Sequence, residues 1–467
     1  MNKKVLLVEP TYLDLYGKSK IATKPYFPLG LGYIAAALKK NNYDCRILIS
    51  SDGDDFLNKV MVSVREFDPL FIGFTSMTTN YPNAVELAKE IKKVFSLPIV
   101  IGGIHVSAFR EEILKQTDVF DYVVYGEGED TIVELACNLN DPMANFGEIN
   151  GLIWKSSSGQ IVVNPPRRLE NDLDKIPFPA RELVDLDKFS THSHIAGGRS
   201  ATIMTSRGCP YQCVFCSAHN VHGHKYREHS VDYVISEIEE LVNKYNVTYV
   251  FIEDDTFTVN KKRVERICKR LSDKKLNLKF GCFSRVDIMD LSMARLLKKA
   301  GCINVIFGIE SGDEEVLKKM KKHISLVQAK EAIQVCEKIG IKTFASFVIG
   351  FPFDTKETIK KTIDFALELN STLVAFNPLV PFPGSEIFND AKHLPKHIED
   401  WKSYITVNVP PYSFVDGLTP RDIYKLAQKG NRRFYLRPGQ LWRIIKTIQS
   451  FSDLKEYFKA AIAVFGR

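Results

Sequence analysis

Three cysteines stand close together near the middle of the sequence, at Cys209, Cys213 and Cys216, with Cys-x3-Cys-x2-Cys spacing. They follow an apolar run, residues 201–205, that predicts a strand. A structural zinc site usually has four protein ligands, and no fourth Cys or His follows at a matching spacing. Three thiolates suit an iron–sulfur cluster in which one iron is left open. The spacing therefore favours a cluster that can bind a chelating substrate over a zinc knuckle, a disulfide pair or a chance grouping.

The remaining cysteines stand alone, mostly in apolar surroundings, which is typical of buried structural thiols. They are Cys45, Cys137, Cys268, Cys282, Cys302 and Cys336. The total of nine is odd, and the first residues run straight into a predicted strand without a targeting segment. We therefore expect a reducing compartment and a cytoplasmic protein rather than a disulfide scaffold. No apolar run is long enough to span a bilayer.

The cysteine segment, with Phe215 directly before the last cysteine, resembles the signature of the radical S-adenosylmethionine (SAM) superfamily. The resemblance implies that the three thiolates hold a 4Fe–4S cluster. It also implies that the amino and carboxylate groups of SAM chelate the open iron. One electron from the cluster then cleaves SAM to a 5′-deoxyadenosyl radical.

Strands and helices alternate on both sides of the cysteine segment, which predicts an α/β protein with parallel sheets. A length of 467 residues suggests two or three domains. We expect a doubly wound Rossmann-like domain at residues 1–140, a linker with a small hairpin at 141–194, a core at 195–384 and a helical region at 385–467. The core should form a partial (β/α)6 barrel, with function at the carboxyl ends of its strands. Its expected strands are residues 201–205, 247–252, 278–284, 305–310, 342–349 and 373–379.

Glycine-rich and hydroxyl-bearing loops follow several strands of the first domain, where ligands of doubly wound sheets bind. A nicotinamide-binding fingerprint would need Gly-x-Gly-x-x-Gly after the first strand, and the sequence lacks it there. The loops carry the segments Phe74-Thr75-Ser76, Ile101-Gly102-Gly103-Ile104-His105 and Tyr125-Gly126-Glu127-Gly128-Glu129, and Pro28-Leu29-Gly30-Leu31-Gly32 fits the same pattern. These segments resemble the cobalamin-binding domain that precedes many radical SAM cores. The expected cobalamin-binding residues are Thr75, Ser76, Gly102, Gly103, Ile104, His105, Gly126 and Glu127.

The loop at residues 9–28 contains no histidine, which departs from the methionine-synthase type of cobalamin domain. The lower face of the cobalt should therefore lack a histidine from this loop. His105 is not assigned as a cobalt ligand, because packing beside the Gly102-Gly103 turn explains it equally well.

Polar residues follow the predicted core strands at their carboxyl ends. Adjacent carboxylates after the second strand repel one another unless they bind a cation or hydrogen-bond donors. Arg285 can bind a carboxylate through two parallel hydrogen bonds, so the carboxylate of SAM is its expected partner. The family resemblance assigns a SAM contact to Glu310 and a place near the adenine to the segment around Gly350. The expected SAM-binding residues are Phe215, Glu253, Asp254, Arg285, Glu310, Ser311 and Gly350.

Other histidines and basic residues have less specific patterns. His219, His222 and His224 could bind a second metal, but a loop that shields the cluster is the favoured interpretation. His192 and His194 are expected in an exposed loop. The basic C-terminal region could touch lipid as a peripheral membrane contact, or cap the open side of the barrel, which we favour. A net charge of +7 over this length does not indicate a nucleic-acid partner.

Together these features resemble the cobalamin-binding radical SAM family, which implies three cofactors: a 4Fe–4S cluster, SAM and cobalamin. The implied reaction is C-methylation of an unactivated carbon in a small-molecule, lipid or peptide substrate, with a flavodoxin or ferredoxin as electron donor. No catalytic side chain is assigned. The alternatives are non-methylating cyclisation, oxidation or rearrangement, as in the anaerobic Mg-protoporphyrin ester cyclase, and a non-enzymatic cobalamin or redox sensor. A tRNA-modifying or methylthiotransferase-like enzyme should carry a second cysteine triplet or a dedicated RNA-binding tail, and the sequence shows neither pattern.

Overall fold

Two mainly parallel sheets organise the chain. The computed structural model describes residues 2–13, 15–16, 26–50, 55–189, 198–391 and 400–447. The expected positions of His192 and His194, and the end of the C-terminal region from residue 448 on, lie outside these ranges. Among the described residues, no helix is both long enough and apolar enough to cross a membrane.

The first sheet has seven strands in the spatial order β2-β1-β3-β4-β5-β6-β7. Strands β1 to β5 pair in parallel, as the alternating pattern predicts, and helices cover both faces. The strands are β1 Lys4–Glu9, β2 Asp44–Ile49, β3 Phe71–Thr75, β4 Ile99–Gly102, β5 Tyr122–Val124, β6 Leu152–Lys155 and β7 Ile161–Val163. The helices are α1 Leu29–Lys40, α2 Phe56–Phe67, α3 Tyr81–Lys92, α4 Ile104–Phe109, α5 Glu112–Gln116 and α6 Glu129–Asn138.

Strand β1 shows why the first sheet is buried on both faces. Val5 and Leu7 pack into the hydrophobic cluster under α1 and α6, whereas Leu6 and Val8 pack into the cluster under α2 and α3. Successive side chains of a strand point to opposite faces, so a continuous apolar run fits a parallel sheet between two helical layers.

The hairpin expected in the linker belongs to the first sheet. Strand β6 pairs antiparallel with β5, and β7 pairs antiparallel with β6. The first domain therefore extends beyond the expected boundary at residue 140, because the edge of β5 is completed by the hairpin. Beyond it, Leu173 and Ile176 pack on Tyr33 of α1, so this part of the linker is held against the first domain.

The second sheet has six parallel strands in the order β15-β14-β13-β12-β11-β8, with a separate two-stranded ribbon, β9-β10. This open sheet matches the predicted partial barrel. The strands are β8 Ser200–Ile203, β9 Ser206–Arg207, β10 Arg227–Glu228, β11 Tyr249–Ile252, β12 Lys279–Ser284, β13 Cys302–Glu310, β14 Lys342–Ile349 and β15 Leu373–Pro378. The helices are α7 His219–His222, α8 Val231–Tyr245, α9 Lys261–Lys274, α10 Leu291–Lys299, α11 Glu314–Lys319, α12 Leu326–Lys338 and α13 Lys356–Leu369.

The C-terminal region covers the free edge of β15. Its helices are α14 Glu386–Ala391, α15 Pro420–Tyr435 and α16 Pro438–Thr447. The side chain of Asn431 bonds to the backbone N and O of Phe376 at 3.1 and 3.3 Å. The hydroxyl of Tyr435 bonds to the backbone N and O of Val374 at 3.2 and 2.7 Å. Side chains of α15 thus provide hydrogen-bond partners for the backbone N–H and C=O groups of the edge strand β15. This agrees with the predicted cap.

Candidate functional site

The cysteine loop is closed at its base by the ribbon of β9 and β10, in which Arg207 pairs with Arg227. Gly208 begins the loop with φ 83°, and a Cβ there would lie 2.4 Å from the carbonyl oxygen of Lys225. Only glycine fits this close approach. The ribbon therefore fixes both ends of the segment that carries the three cysteines.

Asp254 anchors this loop from below. Its carboxylate accepts hydrogen bonds from the backbone N–H and hydroxyl groups of Thr205 and Ser206. Arg263 braces the same turn, because it donates to the Thr205 carbonyl at 2.6 Å. Asp254 is fully buried. The structure thus gives Asp254 a supporting role, instead of the expected SAM contact, because every carboxylate oxygen is already engaged within the fold.

The cysteine thiols are partly buried. Burial raises the pKa of each of the three thiols, and that of Cys216 to about 11. Among the described residues, no three His, Cys, Asp or Glu side chains converge closely enough to hold a single metal ion. A 4Fe–4S cluster does not require such convergence, because each thiolate binds a different iron. Three free thiols on one short loop have the chemistry that such a cluster requires.

Arg285 is not available as a two-pronged partner for an external carboxylate. Its Nε and Nη2 atoms donate to the two carboxylate oxygens of Asp287, both at 2.9 Å. Nη2 also donates to the carbonyl oxygen of Lys322 at 2.9 Å. The guanidinium lies 3.7 Å from the ring centroid of Tyr211, inside the cysteine loop. Arg285 therefore holds the loop in place, which differs from the expected bond to SAM.

Glu310 ends β13 and forms a buried ion pair with Lys322, whose Nζ lies 3.1 Å from Glu310 Oε1. Its backbone has φ 72°, in a region that non-glycine residues seldom occupy and that is often found at functional sites. A Cβ on Gly308 would lie 2.3 Å from Glu310 Oε1. Gly308 is thus required for Glu310 to fold back over its own strand. Lys322 also lies 5.8 Å from the ring centroid of Phe215, so this pair borders the cysteine loop.

The turn after β14 meets the same loop. The rings of Phe351 and Phe215 lie 5.7 Å apart. Gly350 has φ 99°, and its N–H donates to Asp354 at 2.9 Å. The expected site residues Phe215, Glu310 and Gly350 are therefore brought together around one face of the cysteine loop.

Ser311 is not part of that face. It is buried, and its hydroxyl lies 3.2 Å from the hydroxyl of Thr362 in α13. The structure gives Ser311 a packing role instead of the expected SAM contact, because its side chain points to the helical layer behind β13.

Glu253 stands at the end of β11 and remains half-buried. Burial, and in addition the neighbouring Asp254 carboxylate, raises the pKa of Glu253 to about 7. A carboxyl group with such a pKa can hold or release a proton near neutral pH. Glu253 therefore adds a proton-exchanging group at the strand ends of the core.

A cavity of about 250 Å³ opens under the strand ends of the first sheet. Its walls include six of the eight expected cobalamin-binding residues: Thr75, Gly102, Gly103, Ile104, Gly126 and Glu127. Gly30 and Gly126 also line it, and nothing lies within 4 Å of the place where a Cβ would stand at either. Side chains there would project into free space. The glycines thus form a cradle for a ligand that approaches the backbone closely, as the nucleotide-bearing cofactor cobalamin requires.

Two expected cobalamin-binding residues do not line this cavity. Ser76 is buried and makes the turn, because its backbone N donates to Gly102 O at 2.9 Å. His105 is 1% exposed and packs between the rings of Tyr81 and Trp401, at 4.3 and 5.1 Å. Burial lowers the pKa of His105 to about 3. His105 is therefore a neutral packing residue, as the alternative interpretation of the sequence proposed.

A buried charge network joins the cradle to the base of the cysteine loop. Glu127 accepts from Arg227 at 2.6 and 3.0 Å and lies 3.5 Å from Arg207. Glu129 binds Arg207 at 2.6 Å. Burial opposes ionisation of Glu127, but hydrogen bonds from His222 and Arg227 outweigh it and lower its pKa to about 2. We call these four residues and His222 the seam. The seam holds the two candidate sites next to each other.

The three clustered histidines are divided between two environments. The rings of His219 and His224 stack at 4.7 Å. His222 instead bonds through Nδ1 to Glu127 Oε1 at 2.8 Å. The three side chains therefore do not act as one group.

Sequence reasoning missed Lys322 and the pairing of Arg207 and Arg227 with the Glu127 loop. Within the seam, the residues that pair with each other are 78 to 100 positions apart in the chain. No local sequence pattern therefore connects them. The Gly126-Glu127-Gly128-Glu129 segment carried the only signal, since two acidic residues at a cavity mouth need cationic partners.

Comparison with known proteins identifies both domains. The sequence model of the B12 binding domain matches residues 22–136, and that of the Radical SAM superfamily matches residues 203–366. An uncharacterized methyltransferase of Pyrococcus horikoshii is 33% identical over 444 residues, which cover 94% of each chain. The anaerobic magnesium-protoporphyrin IX monomethyl ester cyclase of Rubrivivax gelatinosus is 28% identical over 449 residues, or 94% of this chain and 78% of the relative.

A solved structure shares the fold. It is the radical S-adenosylmethionine methyltransferase TsrM from Kitasatospora setae with cobalamin and a 4Fe–4S cluster bound. Its TM-score is 0.71 at 20% identity, over 84% of this chain and 78% of that chain. With the family matches to both domains and the full-length relative, the conclusion is direct: this chain belongs to the cobalamin-dependent radical SAM methyltransferase family.

Proposed function

We propose that this protein methylates a carbon atom of a small-molecule substrate. The observation that carries the proposal is the seam, in which Glu127 and Glu129 of the cradle bind Arg227 and Arg207 at the base of the cysteine loop. When bound, the cluster with SAM supplies a carbon-centred radical, and cobalamin supplies a methyl group. A substrate placed between two adjoining sites can meet both, which is what a radical methylation needs. The P. horikoshii relative, named a methyltransferase, supports this proposal over nearly the whole chain.

The residues around the cysteine loop suggest how SAM is held. Cys209, Cys213 and Cys216 are the proposed cluster ligands. Phe215 and Phe351 offer apolar faces beside the loop. The Glu310–Lys322 pair offers one acceptor and one donor group there, and SAM carries both an ammonium and a carboxylate. Arg285 would act indirectly, by fixing Tyr211 in the loop.

Glu310 gives a direct test of this arrangement. Glu310→Gln should raise the KM for SAM about tenfold, because one charged hydrogen bond contributes roughly 1.5 kcal/mol or more. The iron content should stay unchanged, since the carboxylate is not a cluster ligand. Ser311→Ala, at the neighbouring position that faces α13, is the matched control and should leave the KM unchanged. Equal KM values for all three proteins would remove Glu310 from the proposed SAM site.

The decisive experiment uses the full chain, reconstituted without oxygen with iron, sulfide and hydroxocobalamin. It is then incubated with SAM that carries a deuterated methyl group, and with a one-electron reductant. A methylating enzyme should form both 5′-deoxyadenosine and S-adenosylhomocysteine, because the first records radical formation and the second records methyl donation. Flavodoxin and ferredoxin, the proposed physiological donors, should each be compared with a chemical reductant.

The same experiment distinguishes the alternative functions. Formation of 5′-deoxyadenosine without S-adenosylhomocysteine would contradict methylation and favour a cyclisation, oxidation or rearrangement, as the name of the R. gelatinosus relative suggests. Formation of neither product, with cluster and cobalamin both bound, would favour a sensor.

A further inference from the structure

His222 belongs to the core, at the end of α7, but its side chain lines the cavity of the first domain. Helix α7 packs against α4, directly after the Gly102-Gly103 turn. His222 therefore reaches the cradle from the opposite domain. Because α7 closely follows Cys216, the same loop serves both candidate sites.

The hydrogen bonds of His222 leave one polar ring atom for a ligand. Its Nδ1 lies 2.8 Å from Glu127 Oε1, and the ionised carboxylate of Glu127 can only accept a hydrogen bond. Nδ1 therefore carries the proton and donates. The backbone is fixed as well, because Arg227 donates to the carbonyl oxygen of His222 at 3.2 Å. A carboxylate that orients a histidine in this way leaves the Nε2 lone pair to accept a hydrogen bond from a ligand.

The cavity fits the nucleotide tail of cobalamin better than its corrin ring. Its inner wall is apolar and is formed by Leu7, Leu31, Val100 and Ile132. A volume of about 250 Å³ suits a flat bicyclic base, whereas a corrin ring with its amide side chains is several times larger. A ribose-phosphate connects these two parts of the cofactor, so it must pass through the mouth of the cavity.

Groups that suit a ribose-phosphate surround this mouth. Arg207 and His222 approach from the core. Gly30 lies in the first turn of α1, which has no side-chain cap and no acidic residue in that turn. Uncapped N–H groups at a helix start favour a phosphate. The charges of Arg207 and Arg227 are balanced by Glu129 and Glu127. Among the described lining residues, Arg207 Nε and the Tyr33 hydroxyl are buried without a hydrogen-bond partner, and His222 adds Nε2 as an acceptor from the core.

We propose that His222 Nε2 accepts a hydrogen bond from a ribose hydroxyl of the cobalamin nucleotide tail, so that the radical SAM core itself helps to retain cobalamin. A bond from Nε2 to cobalt is a different arrangement, and the size of the cavity disfavours it.

The test compares cobalamin with cobinamide, which has the same corrin ring but lacks the nucleotide tail. Both are titrated by absorption spectroscopy into the full, cluster-reconstituted chain. His222→Asn is the preferred variant, because its amide nitrogen replaces Nδ1 beside Glu127 while Nε2 is lost. The dissociation constant for cobalamin should rise about fivefold, as expected for one hydrogen bond between neutral groups. The constant for cobinamide should not change. His222→Ala should give the same pattern.

His224→Ala is the matched control, because His224 stands on the same loop, is exposed and stacks on His219. It should leave both constants unchanged. An equal loss for cobalamin and cobinamide in His222→Asn would mean a general disturbance of the cradle and would overturn the proposal. Unchanged binding of both cobalamin and cobinamide in His222→Asn would overturn the proposal as well. Nitrogen hyperfine splitting in the Co(II) spectrum of the wild type that disappears in the variant would place His222 on cobalt instead.

Discussion

The two candidate sites lie at the carboxyl ends of two parallel sheets, but they are built from different parts of the chain. The cradle is shaped by backbone, with Gly30 and Gly126 leaving open space. The site around the cysteine loop is built from side chains that are held by partners, such as Glu310 by Lys322 and Arg285 by Asp287. A large cofactor can be accommodated by shape, whereas a small charged one needs fixed polar groups. The comparison indicates that each site should fail independently of the other.

The largest effect is expected for Cys213→Ala. Removal of one thiolate should prevent assembly of the cluster and reduce formation of 5′-deoxyadenosine to background, because a three-cysteine site has no spare ligand. Cobalamin binding and the fold should remain, as measured by absorption titration and circular dichroism. Cys137→Ser, an exposed cysteine of the first domain, is the control. Loss of cobalamin binding in Cys213→Ala would contradict the independence of the two sites.

The second change fills the cradle. Gly30→Leu should raise the dissociation constant for cobalamin about a hundredfold, because overpacking of a filled site costs up to about 3 kcal/mol. The backbone should tolerate the change, since Gly30 lies in α1 with free space around it. Iron content should match the wild type. Gly439→Leu, in the first turn of α16 with free space around it, is the control. Normal cobalamin affinity in Gly30→Leu would place the cofactor elsewhere.

The third change breaks the contact between the two sites. Glu127→Gln should lower the free energy of unfolding by about 3 kcal/mol, because Arg227 and Arg207 lose their buried partner. The pKa of Glu127 falls from 4.5 to about 2 on folding. Its contribution is therefore complete above pH 4.5 and disappears as the pH falls toward 2.

Thermal denaturation between pH 2 and pH 6 measures this contribution. The wild type should lose stability across the range from pH 4.5 to pH 2 more steeply than Glu127→Gln. Glu134→Gln is the control, because Glu134 is far more exposed and pairs with Arg167 at the surface. Parallel acid curves for the wild type and Glu127→Gln would show that the seam does not depend on this charge.

The smallest effect is expected far from both sites. Tyr435→Phe should lower the free energy of unfolding by about 1 kcal/mol, since the backbone N and O of Val374 lose their shared partner. Chemical denaturation measures this, with Tyr424→Phe on the same helix as the control. Cobalamin binding and iron content should not change. A change in either would mean that the cap supports a cofactor site.

Much of the fold follows from the sequence, because apolar runs alternate with amphipathic helical patterns at regular spacing. Strand β14 was predicted at residues 342–349 and is found there. The hairpin of β6 and β7 was also predicted, but its attachment to β5 was not. The sequence pattern of a hairpin does not indicate which strand of a sheet the hairpin will pair with.

Residues of the candidate site could be predicted where a single physical requirement, such as a positive φ, explains the residue type. Gly103, with φ 110° and the Ser76 carbonyl 2.4 Å from a Cβ position, is such a case. Charged residues were harder to interpret. Asp254 and Arg285 stand where ligands bind, but each is engaged by a partner within the protein. A sequence shows that a buried charge needs a partner, but it does not show whether that partner is a ligand.

The cap on β15 has a consequence for how new specificities can arise. Helix α15 is attached to the sheet by side chains, and Ile423 stands 3.0 Å from the place of a Cβ on Gly350. The helix therefore forms a wall beside the proposed SAM turn, and its buried residues Ile423, Ala427 and Phe434 belong to the core of the second sheet. Variation at the residues of α15 that face this turn would reshape the space beside it while both cofactor sites stay intact. We therefore expect chimeras that exchange residues 420–435 to alter substrate preference first.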